Sequence, residues 1–189
     1  MSDQHDWARE LQSVLYHEIP LSQQIGLQVD RYEGASLSLR APLAPNINHK
    51  STAFAGSLTA VATLAGWGLT WLLLRQHDLR GVIVIHESAT RYQLPVAHDF
   101  VAVCHAPDAL AVERFLTALR RRGKARLALT VEIQDAEQRI AVVFTGSYVA
   151  FIDQTDDRTN VTSSSGSALV DQTGGDSEHG NGLRQHHDS

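Results

Sequence analysis

An uncharged apolar stretch from Thr52 to Leu74 constrains this chain more than any other feature of its sequence. Its length is enough for a helix that spans a bilayer. However, its residues are largely small, and its flanks, Lys50 and Arg75, show no basic bias of the kind that orients spanning helices. A helix that is apolar on all sides also suits a core helix enclosed by other elements. We therefore expect a core helix, with Ser51 or Thr52 as its N-cap, and no membrane partner.

The segments around this stretch are patterned as strands and short helices. A helix is predicted over Asp3–Glu18, and strands over Leu27–Tyr32 and Ala35–Ala41. After the apolar helix, "GVIVIHESATRYQLPV" is predicted as a strand whose even-numbered residues Val82 to Tyr92 share one face. A further strand, a helix from Asp108 to Gly123 and a final hairpin complete the order. We expect an α+β fold in which an antiparallel sheet wraps one long helix.

The domain boundaries follow from composition. Residues 1–18 form an N-terminal helix, residues 19–154 the main domain, and residues 155–189 a polar tail with too little apolar surface to order itself. A net charge of −5 gives no attraction to nucleic acid. The single cysteine, Cys104, excludes an internal disulfide and fits the cytoplasm, and the first residues lack a secretory signal.

Two motifs resemble a known family. "AGSLTAVATLAG" is similar to the start of the central helix of hotdog-fold acyl-CoA thioesterases, and "ESATRYQLPVAHD" resembles their next strand. The phrase "PLAPNINHKSTAFAGSL" is most similar to the thioesterase domain at the C-terminus of YiiD-type bacterial proteins. The resemblance implies a hotdog fold, a homodimer or dimer of dimers, and an acyl-CoA or acyl-carrier-protein thioester as substrate. It implies a hydrolase of fatty acid metabolism that needs no metal or redox cofactor.

Four residues are candidates for catalysis. Backbone N–H groups near Gly56 and Ser57, at the start of the long helix, can stabilise the oxyanion of a thioester intermediate. Asn48 stands where the resemblance places an asparagine and would hold the carbonyl or the attacking water, while His49 would be the general base. Turn formation by Asn46 and Asn48, and a solvated or helix-capping His49, remain alternatives. We assign substrate binding to Asn46, Lys50, Thr52, Phe54 and Arg91.

The chain also departs from the family pattern. Many hotdog thioesterases carry a helix carboxylate, but the matching position here is Thr63, and Phe54–Ala55 replaces the His-Gly that often precedes the helix glycine. Glu87 is a reserve candidate for the general base. A non-catalytic module that binds acyl-CoA or acyl carrier protein is therefore the alternative function. The basic residues Arg120, Arg121, Arg122, Lys124 and Arg126 form either a solvated helix end or a contact for an acidic partner.

Overall fold

The structure, a computed structural model, describes residues 2–135 and 137–152, with side chains from residue 6 onward. The polar tail predicted for residues 155–189 lies outside the described residues. The helices are α1 (Ser2–Glu18), α2 (Leu21–Gln24), α3 (Ala55–Gln76) and α4 (Ala109–Arg122), with a 3-10 turn at Ala44–Asn46. The strands are β1 (Gln28–Tyr32), β2 (Ser36–Ala41), β3 (Val82–Tyr92), β4 (Phe100–His105), β5 (Lys124–Gln134) and β6 (Ile140–Phe151).

The six strands form one antiparallel sheet in the order β1-β2-β4-β5-β6-β3. Alternate residues of β5 from Ala125 to Ile133 are buried, and those between them are largely exposed, because successive side chains of a strand point to opposite faces. The buried face packs against α3, which contacts β2, β3, β4, β5 and β6. This is the predicted arrangement of a sheet around one long helix.

Helix α3 is long and apolar enough to span a membrane, but 67% of an apolar 18-residue segment of this helix is buried inside the protein. Two glycines of α3 allow the surrounding helix and strands to pack closely against it. A Cβ at Gly66 would overlap the ring of Tyr148 on β6, and one at Gly68 would press on Leu37 and Leu11. The protein thus covers the apolar surface that a spanning helix would present to lipid, as a core helix requires.

The ends of α4 match the sequence prediction, whereas the start of α3 does not. The Asp108 carboxylate accepts a hydrogen bond from Ala111 N at 2.8 Å, and Gly123 closes the helix with a φ of 68°. For α3, Ser51 or Thr52 was the predicted cap. The structure shows that this prediction is wrong, because α3 begins at Ala55 after Phe54, which has no capping side chain.

Strand β3 contains a one-residue irregularity that the predicted alternation lacks. Ile85 pairs with Tyr148 and Glu87 pairs with Ser147, so His86 is an extra residue in the ladder. Directly paired residues share a face of the sheet. The inward face of β3 therefore changes from odd-numbered residues before the bulge to even-numbered residues after it, and the continuous alternation predicted from Val82 to Tyr92 is wrong.

Candidate active site

The first turn of α3 presents three backbone N–H groups that are unpaired within the described part of the chain. Phe54 N donates to Asn46 O at 2.7 Å and Leu58 N donates to Phe54 O at 3.1 Å. The N–H groups of Ala55, Gly56 and Ser57, which lie between them, find no acceptor among the described residues. These groups belong to the orphan donors of a helix start, where the helix dipole also concentrates positive partial charge. The turn is thus equipped to bind a carbonyl oxygen or an oxyanion.

Phe54 and Gly56 determine access to these donors. Ala55 and Gly56 are exposed, and Ser57 is partly buried. Phe54 is 56% exposed, and its ring lies so close to Gly56 that a Cβ there would overlap it. Glycine therefore allows an apolar ring to lie beside the free N–H groups, and a ligand can reach the backbone without meeting a side chain at Gly56.

The loop before α3 is held together by the side chain of Asn48. Its Oδ1 accepts from Lys50 N at 2.7 Å, and its Nδ2 donates to Thr52 Oγ1 at 3.0 Å and to Ala53 O at 3.2 Å. Ser51 adopts a φ of 58°, which the tight turn requires. Asn48 and Thr52 therefore direct their polar atoms at the loop itself, as the turn-forming alternative predicts for Asn48.

His49 and Lys50 are the exposed residues at the tip of this loop. Neither side chain forms a hydrogen bond or ion pair within the part of the chain that the structure describes. Both are therefore available to a ligand that approaches the start of α3. They follow Asn48 directly in the loop that leads into α3.

Asn46, by contrast, is 1% exposed. Its Nδ2 donates to Ile25 O at 2.8 Å and to Pro42 O at 2.7 Å, while its Oδ1 is buried without a partner among the described residues. Asn46 thus links the loop to the chain segments before and after the β1–β2 hairpin. Because Asn46 is buried, little of its surface can contact a substrate.

Arg91 and Glu87 are not brought to the start of α3. Arg91 pairs with Val143 and Glu87 with Ser147, so both lie on the face of the sheet opposite to α3. Glu87 instead lines a shallow groove of about 280 Å³ on that outer face, together with residues of β5 and β6. Within one chain, neither residue shares a site with Gly56 and Ser57.

Three hydroxyl groups next to the first turn were not assigned a role from the sequence. Thr59 Oγ1 lies 2.5 Å from the Tyr92 hydroxyl and 3.3 Å from Thr90 Oγ1. The Tyr92 hydroxyl also donates to Ala55 O at 3.0 Å. Tyr92 belongs to the quoted motif "ESATRYQLPV", so its place in that motif was the available signal.

Thr63 occupies the position matched to the family's helix carboxylate, so no acidic side chain stands there. Its backbone carbonyl has a structural role instead. The Tyr148 hydroxyl donates to Thr63 O at 2.8 Å. Burial raises the pKa of Tyr148 well above that of a free tyrosine, so this phenol stays protonated. No group of three His, Cys, Asp or Glu residues within residues 2–135 and 137–152 is placed to hold a metal ion.

The basic cluster lies at the other end of α3. Arg120 approaches His77 O, at the C-terminal cap of α3, with an Nη2–O distance of 3.5 Å. Since α3 has 22 residues, its two ends are about 33 Å apart. The cluster is therefore remote from the free N–H groups of the same chain.

Comparison with known families agrees with this geometry. The family model described as "Putative thioesterase (yiiD_Cterm)" matches residues 8–152, which include every candidate site residue. The chain belongs to the YiiD C-terminal family. The description of the family is that of a "putative thioesterase". The match begins within α1, at residue 8, and extends over the sheet and α3.

This YiiD C-terminal family member is also similar to solved structures. A protein of unknown function from Chlorobaculum tepidum is 34% identical, with a TM-score of 0.76 over 79% of this chain and 97% of that chain. A "putative thioesterase" from Shewanella oneidensis is 30% identical, with a TM-score of 0.68 over 78% and 98%. A thioesterase from Haemophilus influenzae shares the fold, with 12% identity and a TM-score of 0.60 over 80% and 94%.

These neighbours confirm the hotdog fold predicted for the chain. The family and the structural neighbours together support thioester hydrolysis as its general activity.

Proposed function

We propose that this protein hydrolyses acyl thioesters of coenzyme A or acyl carrier protein, with the N–H groups of Gly56 and Ser57 as the oxyanion hole. The observation that carries the proposal is the exposed first turn of α3, whose N–H groups have no acceptor among the described residues. Such donors stabilise the charge that develops on the thioester carbonyl when water attacks it, and they need no reorganisation during the reaction.

His49 is the proposed general base. It is an exposed imidazole on the loop that leads into α3, and its side chain has no competing partner among the described residues. Asn48 then supports the reaction by fixing the loop, since its amide already bonds to Lys50, Thr52 and Ala53. Lys50 and Phe54 are the proposed substrate contacts. The Lys50 ammonium binds the phosphates of the carrier, and the Phe54 ring packs against the acyl chain.

A second copy of the chain is the proposed partner at this site. β3 is an 11-residue strand at the end of the sheet, and among the described strands only β6 pairs with it. Its exposed apolar residues include Val82, Val84 and Ile85, at 65%, 43% and 38% exposure. A long unpaired strand edge with exposed apolar residues invites pairing with another strand. We therefore propose a homodimer, alone or within a dimer of dimers, in which β3 pairs with its copy in the second chain.

A non-catalytic acyl-thioester binding module is the second candidate function. The observation in its favour is that Thr63 occupies the position of the family's helix carboxylate. The Thr63 carbonyl accepts a hydrogen bond from Tyr148. Without that carboxylate, binding at the N–H groups need not lead to hydrolysis.

Thiol release from a panel of acyl-CoA and acyl-carrier-protein substrates tests the proposal. We expect turnover by the parent protein and a loss of about 100-fold in kcat for His49→Ala, as for removal of a general base. His105→Ala, a change of another exposed histidine at the end of β4, is the matched control and should retain parental activity.

Equal turnover of parent and His49→Ala would contradict the assignment of the base. No turnover by the parent, across chain lengths and both carriers, would contradict hydrolysis. In that case, calorimetric titration with a non-hydrolysable thioether analogue would show whether the binding-module function holds.

A further inference from the structure

A chain of hydroxyl groups joins β3 to the first turn of α3. Tyr92 has one hydroxyl proton, which it donates to Ala55 O at 3.0 Å. At its 2.5 Å contact with Thr59, the Tyr92 oxygen must therefore accept the Thr59 proton. Thr59 Oγ1 can in turn accept from Thr90 at 3.3 Å. Donation runs in one direction, from Thr90 through Thr59 and Tyr92 to the carbonyl of Ala55.

The bulge at His86 places this chain of hydroxyls on the correct face. Before the bulge, Ile83 is the buried, inward residue of β3. Unbroken alternation from Ile83 would turn Arg91 toward α3 and Tyr92 away from it. The extra residue reverses this order, so that Thr90 and Tyr92 contact α3. Bulges near active sites commonly redirect a side chain in this way.

The bonded carbonyl and the proposed oxyanion donor belong to one rigid group. Ala55 C=O and Gly56 N–H are the two ends of a single peptide unit, which is planar and resists rotation about its C–N bond. A hydrogen bond that fixes the Ala55 oxygen therefore also fixes the direction of the Gly56 N–H. The constraint matters at this position because glycine has more backbone freedom than other residues. Donation to the carbonyl also polarises the peptide and strengthens its N–H as a donor.

We propose that Tyr92 is a positioning residue that orients the Gly56 N–H through the Ala55 carbonyl, with Thr59 and Thr90 holding the Tyr92 hydroxyl. This inference rests on the proposed oxyanion role of Gly56. Tyr92 acts through the backbone of α3 and takes no part in proton transfer to or from the substrate.

Tyr92→Phe in the full chain removes the hydroxyl and keeps the ring. We expect kcat for thiol release to fall about tenfold, less than the 10²- to 10³-fold loss typical of a missing oxyanion donor. KM should stay within about twofold and the shape of the pH–rate profile should not change, because no titrating group is lost. Thr59→Val should lower kcat in the same direction, and Thr59→Ser, which keeps the hydroxyl, should restore it.

Tyr16→Phe is the matched control. It removes another tyrosine hydroxyl that donates to a backbone carbonyl, that of Leu27 at 2.6 Å, and this carbonyl does not belong to α3. An equal loss of kcat in Tyr16→Phe and Tyr92→Phe would overturn the proposal, because the effect would then reflect a general loss of stability.

A measurement that needs no turnover separates this inference from the proposed function. The ¹⁵N order parameter of the Gly56 amide should fall from about 0.85 towards about 0.6 in Tyr92→Phe and stay unchanged in Tyr16→Phe. An unchanged order parameter in Tyr92→Phe would overturn the positioning role. A parent protein without turnover, but with the expected change at Gly56, would refute hydrolysis and leave the positioning of the N–H established.

Discussion

Substitution of Gly66 by alanine tests the packing of α3 against the sheet. A Cβ at this position would overlap the Tyr148 ring, which is 0% exposed and whose hydroxyl donates to Thr63 O at 2.8 Å. The ring cannot turn into solvent, so the helix or β6 must move. Overpacking costs about 1–3 kcal/mol, and loss of the hydrogen bond about 1 kcal/mol. Higher helix propensity offsets about 1 kcal/mol. We expect the free energy of unfolding to fall by about 1–3 kcal/mol.

Urea and thermal unfolding, followed by tryptophan fluorescence, measure this change. For a domain of this size, the expected loss corresponds to a Tm lower by about 3–10 °C. Gly68→Ala is the control, because its Cβ would meet terminal methyl groups of Leu37 at 2.9 Å and Leu11 at 3.2 Å, and the ends of flexible side chains can shift. We expect this control to unfold within about 1 kcal/mol of the parent. A Gly66→Ala protein as stable as the parent would refute the packing argument.

Three further substitutions have expected outcomes. Gly56→Ala should leave the urea midpoint nearly unchanged, because the exposed Phe54 ring can turn aside, but should lower thiol release by narrowing access to the N–H groups. Asn46→Ala removes two hydrogen bonds from a buried loop anchor and should cost about 2 kcal/mol in urea unfolding. Burial raises the pKa of Cys104 from 9.0 to about 12. The unfolded thiol therefore loses its proton first, and stability should fall between pH 9 and pH 12, by at most about 1.4 kcal/mol per pH unit. Cys104→Ala should flatten that slope.

Each of these outcomes has a result that would contradict it. A Gly56→Ala protein as destabilised as Gly66→Ala would make Gly56 a packing residue. An unchanged midpoint for Asn46→Ala would show that the loop does not depend on its two hydrogen bonds. A Cys104→Ala protein with the parental slope between pH 9 and pH 12 would assign the alkaline loss to other groups, such as the buried Tyr148.

Local sequence patterns predicted the elements of the fold because each depends on nearby residues. The spacing of apolar residues and the Asp108 and Gly123 caps are local features, and they determined α4 correctly. The start of α3 was misplaced because it depends on distant contacts. Ala53 N donates to Val96 O at 2.7 Å, which holds the residues before Phe54 in a loop. Ser51 and Thr52, good capping residues by type, belong to that loop.

The same reasoning explains why the candidate site was predicted only in part. Gly56 and Ser57 lie at the helix start in the structure, as the motif indicated, because their role depends on the backbone alone. Asn46 and Asn48 have the same side chain and neighbouring positions. One is a buried anchor and the other organises an exposed turn, through partners that the sequence does not name. The residue type alone does not distinguish the buried anchor from the exposed turn.

The bulge at His86 decides which side chains of β3 reach α3. Ile83 and Ile85 on one side of the bulge, and Thr90 and Tyr92 on the other, face inward, although they belong to opposite sets of an unbroken alternation. The second half of β3 mixes polar and apolar residues on both faces, so periodicity contains no sign of the extra residue. Arg91 was assigned to the substrate and Tyr92 to no role. Deletion of His86 should remove the bulge and keep the observed placement, because Glu87 would follow Ile85 in regular alternation and Thr90 and Tyr92 would still face α3.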